Sequence, residues 1–94
     1  MSDVVTAAVA ALEERISGFD GTAKFVIEGE GTIMVEHGAV RAGEGAADVT
    51  LHADRDTFEG MLDGTVNPTM AFMTGKLKIE GDMGLAMKLG AALS

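Results

Sequence analysis

The side chains able to do acid, base, nucleophilic or metal chemistry are few, and none of them assembles into a set. Nucleophilic catalysis needs Ser, Thr or Cys beside a base that a third group orients. Cysteine is absent, and no serine sits on a Gly-x-Ser-x-Gly elbow. The two Gly-Glu-Gly strings, at 29–31 and 43–45, lack the strand–G-x-G-x-x-G–helix context of a nucleotide fold, and there is no P-loop. Asp54 and Asp56 could do acid–base work only if buried with split pKa values. They fall at a helix start, where carboxylates cap backbone N–H groups. Metal binding rests on two histidines, His37 and His52. Glu36 and His37 alternate to opposite faces of a strand, so only one of them could join a site. His52 could pair with Asp54, but a histidine on the solvent side of a sheet is the simpler expectation. No catalytic set, metal centre or cofactor site is therefore expected.

What remains is apolar and deformable. Seven residues are methionine, and Met61, Met70, Met73, Met83 and Met87 all lie in the second half. Aromatics are 4 %, all phenylalanine. Methionine is unbranched and polarizable, so it fills irregular gaps in a small core or forms an adaptable pocket wall.

The elements that must position these side chains follow from period and punctuation. Asp3 to Ser17 is helical, with Val5, Val9, Leu12 and Ile16 on one stripe, Ser2 or Asp3 at its start and Gly18 at its stop. Strands follow at 22–28, 32–37, 39–42 and 48–53, separated by glycine turns, and the pattern predicts a largely antiparallel meander. In the second of these strands Ile33 and Val35 face the core, and Thr32, Met34 and Glu36 face away. Asp56 and Glu59 have capping-box spacing before a Phe58, Met61, Leu62 stripe that Gly64 stops. Asn67-Pro68 starts a second short helix with a capping side chain and a proline whose missing N–H does no harm. Lys76-Leu77-Lys78-Ile79-Glu80 is strict alternation, the clearest strand in the chain. The final helix, from Met83, carries Lys88 as its only charge, so it should be covered on more than one side.

The sum is one α+β domain: a five-stranded, mostly antiparallel sheet with helices on one face. Ninety-four residues leave no room for a second domain. Fifteen acidic against seven basic side chains give a net charge of −8, and both halves are acidic. That balance opposes nucleic-acid binding and standing attachment to an anionic bilayer. No apolar run reaches the roughly 18 residues of a membrane span. The N-terminus has an acid where a secretory signal needs basic residues, so a cytoplasmic protein is expected.

Residues 67–89, NPTMAFMTGKLKIEGDMGLAMKL, closely resemble the signature of the sterol carrier protein type 2 family. That signature is a proline-led short helix, a GKLKI-type strand and an MGLAMKL helix start. Residues 47–64, ADVTLHADRDTFEGMLDG, are similar to the family's strand-then-helix segment. The resemblance runs from about Gly18 to Leu89. It implies a five-stranded sheet whose helices enclose an apolar tunnel, without catalysis or cofactor. The ligand it implies is a fatty acid, acyl-CoA, sterol, phospholipid or isoprenoid. The chain ends five residues after Leu89, where many relatives continue, so a smaller or more open cavity, or one completed by a second subunit, is expected. The candidate liners are Phe58, Met61, Leu62, Met70, Met73, Leu77, Ile79, Met83 and Met87, with Phe25, Ile33 and Leu51 from the sheet. The alternative is a module that binds no lipid and uses its final helix to form a homodimer or dock a lipid-metabolising enzyme.

Overall fold

The structure, a computed structural model, describes residues 3–16 and 19–93. The Ser2 cap and the Gly18 stop lie outside the described residues. Nine elements follow one another: α1 (Asp3–Ile16), β1 (Thr22–Ile27), β2 (Gly31–Glu36), β3 (Ala39–Ala42), β4 (Val49–Ala53), α2 (Arg55–Asp63), α3 (Pro68–Met73), β5 (Leu77–Gly81) and α4 (Met83–Leu93).

The strands form one sheet in the order β3-β2-β1-β4-β5. β1–β2, β2–β3 and β4–β5 are antiparallel, whereas β1–β4 is parallel. The meander thus stops after β3, and β4 returns to the far side of β1, with Phe25 opposite Leu51 and Ala23 opposite Val49. A period-two pattern says which face a residue takes but not which strand lies beside it, so this crossover was invisible to alternation. The β2–β3 turn is tight, with positive φ at both His37 (50°) and Gly38 (86°), as a two-residue hairpin requires.

The crossover explains a second difference. Met34 is fully buried although it alternates away from Ile33 and Val35. Residues 43–48 run back across that outer face, and a Cβ at Gly45 would sit 3.6 Å from Met34 Cε. Asp48 N–H donates to Thr22 Oγ1 at 3.0 Å, which pins the far end of the crossing to β1.

On the inner face Ala23, Phe25, Ile27, Ile33, Val35, Val49, Leu51, Ala53 and Leu77 form one continuous core with the helices. Helix α1 contributes Val5, Ala8, Leu12 and Ile16, the stripe its spacing dictates. Arg15, on its exposed side, donates from Nε to the Leu62 carbonyl at 3.0 Å and also from its guanidinium Nη2. A carbonyl in the last turn of α2 has no partner within the helix, so this bond ties α1 to α2 where one is needed.

Helix α2 is capped by Asp54 rather than Asp56. Asp54 Oδ1 accepts from Thr57 N–H at 2.7 Å, and Gly64 closes the helix at φ 87°. That hydrogen bond holds the Asp54 carboxyl below its ordinary value, the Thr57 backbone N–H contributing most. A carboxyl depressed in the folded state stabilises fully above its unfolded pKa, near 4, and loses that contribution as pH falls through the folded value. Asp54→Ala should therefore melt below the parent at pH 7, with the gap closing toward pH 3. A gap that stays constant across melts between those pH values would mean the charge of the cap contributes nothing.

Helix α3 starts as its sequence dictates. Asn67 Oδ1 accepts from Thr69 N–H at 2.8 Å and Met70 N–H at 3.2 Å, with proline at the first helical position. Asn67→Ala should cost about 0.5–2 kcal/mol, read as a lowered denaturant midpoint at unchanged slope. An unchanged midpoint would show that the six-residue helix is held by packing alone.

Candidate functional site

Helices α3 and α4 lie against the β4–β5 side of the sheet and do not close on one another completely. Between them is a cavity of about 380 Å³ lined by Leu51, Met61, Asn67, Pro68, Thr69, Phe72, Leu77, Ile79, Met83, Ala86, Met87, Gly90 and Ala91. Not one of these side chains is charged. The floor is buried: Leu51 from β4, Leu77 from β5, Met61 from α2, Pro68 at the start of α3 and Ala86 from α4. The rim is exposed and consists of Met83, Met87 and Ala91 from α4, Phe72 and Thr69 from α3, and Asn67. Among the described residues the space is thus a groove open along its rim rather than an enclosed tunnel.

Local sequence places each wall. Alternation in β5 turns Leu77 and Ile79 inward and Lys78 and Glu80 outward. Met83, Met87 and Ala91 recur every four residues and form one side of α4, while Ala86 and Leu89 face the core. Small residues at 86, 90 and 91 leave the space that a longer side chain would fill. Gly81, at φ 96°, is fixed by its surroundings, because a Cβ there would fall on the Asp48 carbonyl oxygen.

Of the liners expected from sequence, Leu51, Met61, Leu77, Ile79, Met83 and Met87 meet at this groove. Phe25, Ile33, Phe58 and Leu62 are buried in the core and do not reach it. Phe25 and Ile33 sit on β1 and β2, away from the β4–β5 side, and Phe58 packs edge-on against Phe25 with ring centroids 5.6 Å apart. Met70 and Met73 are exposed and lie outside the lining. Asn67, Pro68, Thr69, Phe72, Ala86, Gly90 and Ala91 complete the groove without having been singled out. The Asn-Pro cap signal marked the first two, but only as a helix start. In the single chain the Met83–Met87 side of the final helix is exposed, and it is the side that a ligand or a second subunit would have to cover.

The ionisable groups lie elsewhere. His37 Nδ1 is 3.2 Å from Asp20 Oδ1 at the β2–β3 turn. His52 Nε2 is 3.0 Å from Glu80 Oε2, across the β4–β5 pair on the face turned away from the helices. Among the described residues no three His, Cys, Asp or Glu side chains gather where an ion could bind. A second hollow, about 350 Å³, lies on the other side of α4 and is lined by Arg15, Ile16, Phe19, Asp20, Lys88 and Ala92. Half of those side chains are charged and exposed, so it offers little apolar wall. No helix among the described residues is long and apolar enough to cross a membrane.

A sheet walled on one face by helices, with an uncharged groove between the last two, defines an α+β domain whose best-formed apolar space is that groove. The model of the SCP-2 sterol transfer family matches residues 4–94, and the chain belongs to that family. It is 44 % identical over 85 residues to hydroxysteroid dehydrogenase-like protein 2 of Xenopus laevis, a match covering 82 % of this chain and 20 % of that protein. The chain thus spans about a fifth of the length of the curated relatives it matches. Among solved structures it resembles sterol carrier protein 2 like 2 from Aedes aegypti, with a TM-score of 0.80, 20 % identity and 94 % of each chain covered. It also resembles Aedes aegypti sterol carrier protein 2, solved in complex with the C16 fatty acid palmitate. There the TM-score is 0.79 at 19 % identity, over 100 % of this chain and 97 % of that one.

Proposed function

We propose that this chain is a non-catalytic lipid-binding and lipid-transfer domain. In this reading it holds a fatty acid, acyl-CoA, sterol or similar apolar ligand in the groove between α3, α4 and the β4–β5 pair. The observation that carries the reading is the groove's lining, thirteen residues without a charge on any of them. Burial of methylenes there contributes about 25 cal/mol per Å² before the costs of association. Family membership and the palmitate complex of the Aedes protein support the same ligand class. The dehydrogenase name belongs to proteins roughly five times longer than the stretch matched here, so it assigns no reaction to this domain. The partner is a lipid and not a nucleic acid, since a net charge of −8 opposes tracking a phosphate backbone.

Melting the purified chain with palmitate, palmitoyl-CoA, cholesterol and phosphatidylcholine tests this. A ligand at a hundred times its Kd adds about 2.7 kcal/mol, a rise on the order of 10 °C for a domain of this size. No rise with any of the four, together with no lipid extracted from freshly purified protein, would reject the carrier reading. A second reading, a homodimer or enzyme-docking face, draws on the bare side of α4, where Met83 and Met87 are exposed. Native mass spectrometry separates the two, since a ligand-free dimer favours the second.

A further inference from the structure

The rim of the groove carries a reactivity that lipid binding does not use. The chain has no cysteine, so its sulfur is all thioether. Of the six methionines among the described residues, two are shut away: Met61 at the groove floor is 1 % exposed, and Met34 under the crossover is 0 % exposed. Four are open to water: Met70 is 57 % exposed, Met73 72 %, Met83 45 % and Met87 76 %. Oxidation of sulfur side chains follows their exposure, so dissolved peroxide reaches these four first. Met83 and Met87 line the groove one helical turn apart, whereas Met70 and Met73 lie outside it. The described residues thus contain a reactive pair at the groove, a reactive pair away from it, and a protected pair.

We propose that Met83 and Met87 are peroxide-sensitive modification sites, and that their conversion to sulfoxide lowers the groove's affinity for lipid. This rests on the lipid-binding reading above. In the step, a lone pair on sulfur attacks one oxygen of hydrogen peroxide. The S–O bond forms, the O–O bond breaks, and after a proton shift the second oxygen leaves as water. The thioether gives up two electrons and the peroxide takes them. Each sulfoxide sets a polar oxygen where ligand methylenes would lie, so binding must either bury that oxygen unpaired or leave water in the groove. Methionine sulfoxide reductases reverse the change, which makes it a switch rather than a lesion.

The test treats the whole chain with hydrogen peroxide, maps added oxygen by peptide mass, and titrates a fluorescent C16 fatty-acid analogue before and after. Oxygen is expected on Met70, Met73, Met83 and Met87 ahead of Met34 and Met61. Affinity should fall about tenfold or more, with the melting temperature close to that of the untreated protein. Reductases A and B should restore it. A Met83→Leu/Met87→Leu variant, judged against its own untreated affinity, should be insensitive to peroxide. A Met70→Leu/Met73→Leu variant should respond as the parent does. The proposal is overturned by unchanged affinity in the oxidised parent, by an equal loss in the Met83→Leu/Met87→Leu variant, or by a loss that tracks a collapsed melt. An untreated chain that binds no analogue, palmitate or cholesterol overturns the lipid-binding reading itself, and this proposal with it.

Discussion

Met87→Glu is expected to weaken lipid binding by between one and two orders of magnitude or slightly more and leave the melting temperature within a few degrees of the parent. Met87 is the most exposed large apolar side chain of those on the groove, so a carboxylate there stays in water. Surface substitutions of that kind usually fall within about 0.5 kcal/mol of neutral. Binding suffers differently. A ligand in the groove loses the methionine contact and meets a charge that it must desolvate, a combined loss on the order of 2–3 kcal/mol, or roughly 30- to 150-fold in Kd. Leu89→Glu supplies the contrast on the same helix. Leu89 is fully buried in the core, and a charge there should unfold the domain. If Met87→Glu also melts far below the parent, its side chain is packed in solution. If it binds lipid as tightly as the parent, the ligand lies elsewhere.

Phe58→Ala should do the opposite. Phe58 is fully buried on α2 and meets Phe25 edge-to-face at an interplanar angle of 62°. Truncating a buried phenylalanine costs about 3–5 kcal/mol through lost transfer energy and the cavity left behind. A domain of this length has a total stability of about 5–14 kcal/mol, so the melt should fall by well over 10 °C. Because Phe58 does not line the groove, the variant should bind lipid close to normally at temperatures where it remains folded. A groove that loses its ligand while the melt barely moves would place Phe58 at the ligand after all.

Local pattern made much of this architecture legible, and its limits are specific. Alternation in Lys76–Glu80 identified β5 and its inward residues, and Asn67-Pro68 identified the start of α3, because both signals are carried by neighbours in sequence. The pairing of β4 with β1 is a contact between residues far apart, and no periodicity encodes it. The same crossover buried Met34. At the groove, Met61, Leu77, Ile79, Met83 and Met87 could be named from apolar type and element. Phe58 and Leu62 share that type on the same helix as Met61, and which turn of α2 meets the space depends on how the helix is docked. Met70, Phe72 and Met73 are spread around a helix of only six residues, so no stripe tells Phe72 from its neighbours. Small residues such as Gly90 and Ala91 shape the groove by what they lack, and composition gives no sign of that.

Among the described residues, every one that lines the groove falls between Leu51 and Ala91, and α1, β1, β2 and β3 supply none. In the carrier reading the first part of the chain therefore supplies framework alone, while the second supplies framework and ligand wall together. An exchange of residues 51–91 as one continuous segment must keep Leu51 opposite Phe25, Phe58 against Phe25, the Arg15 bond to the Leu62 carbonyl and Gly81 beside the Asp48 carbonyl. A chimera that receives residues 51–91 from a relative should inherit the donor's ligand preference on the recipient's frame.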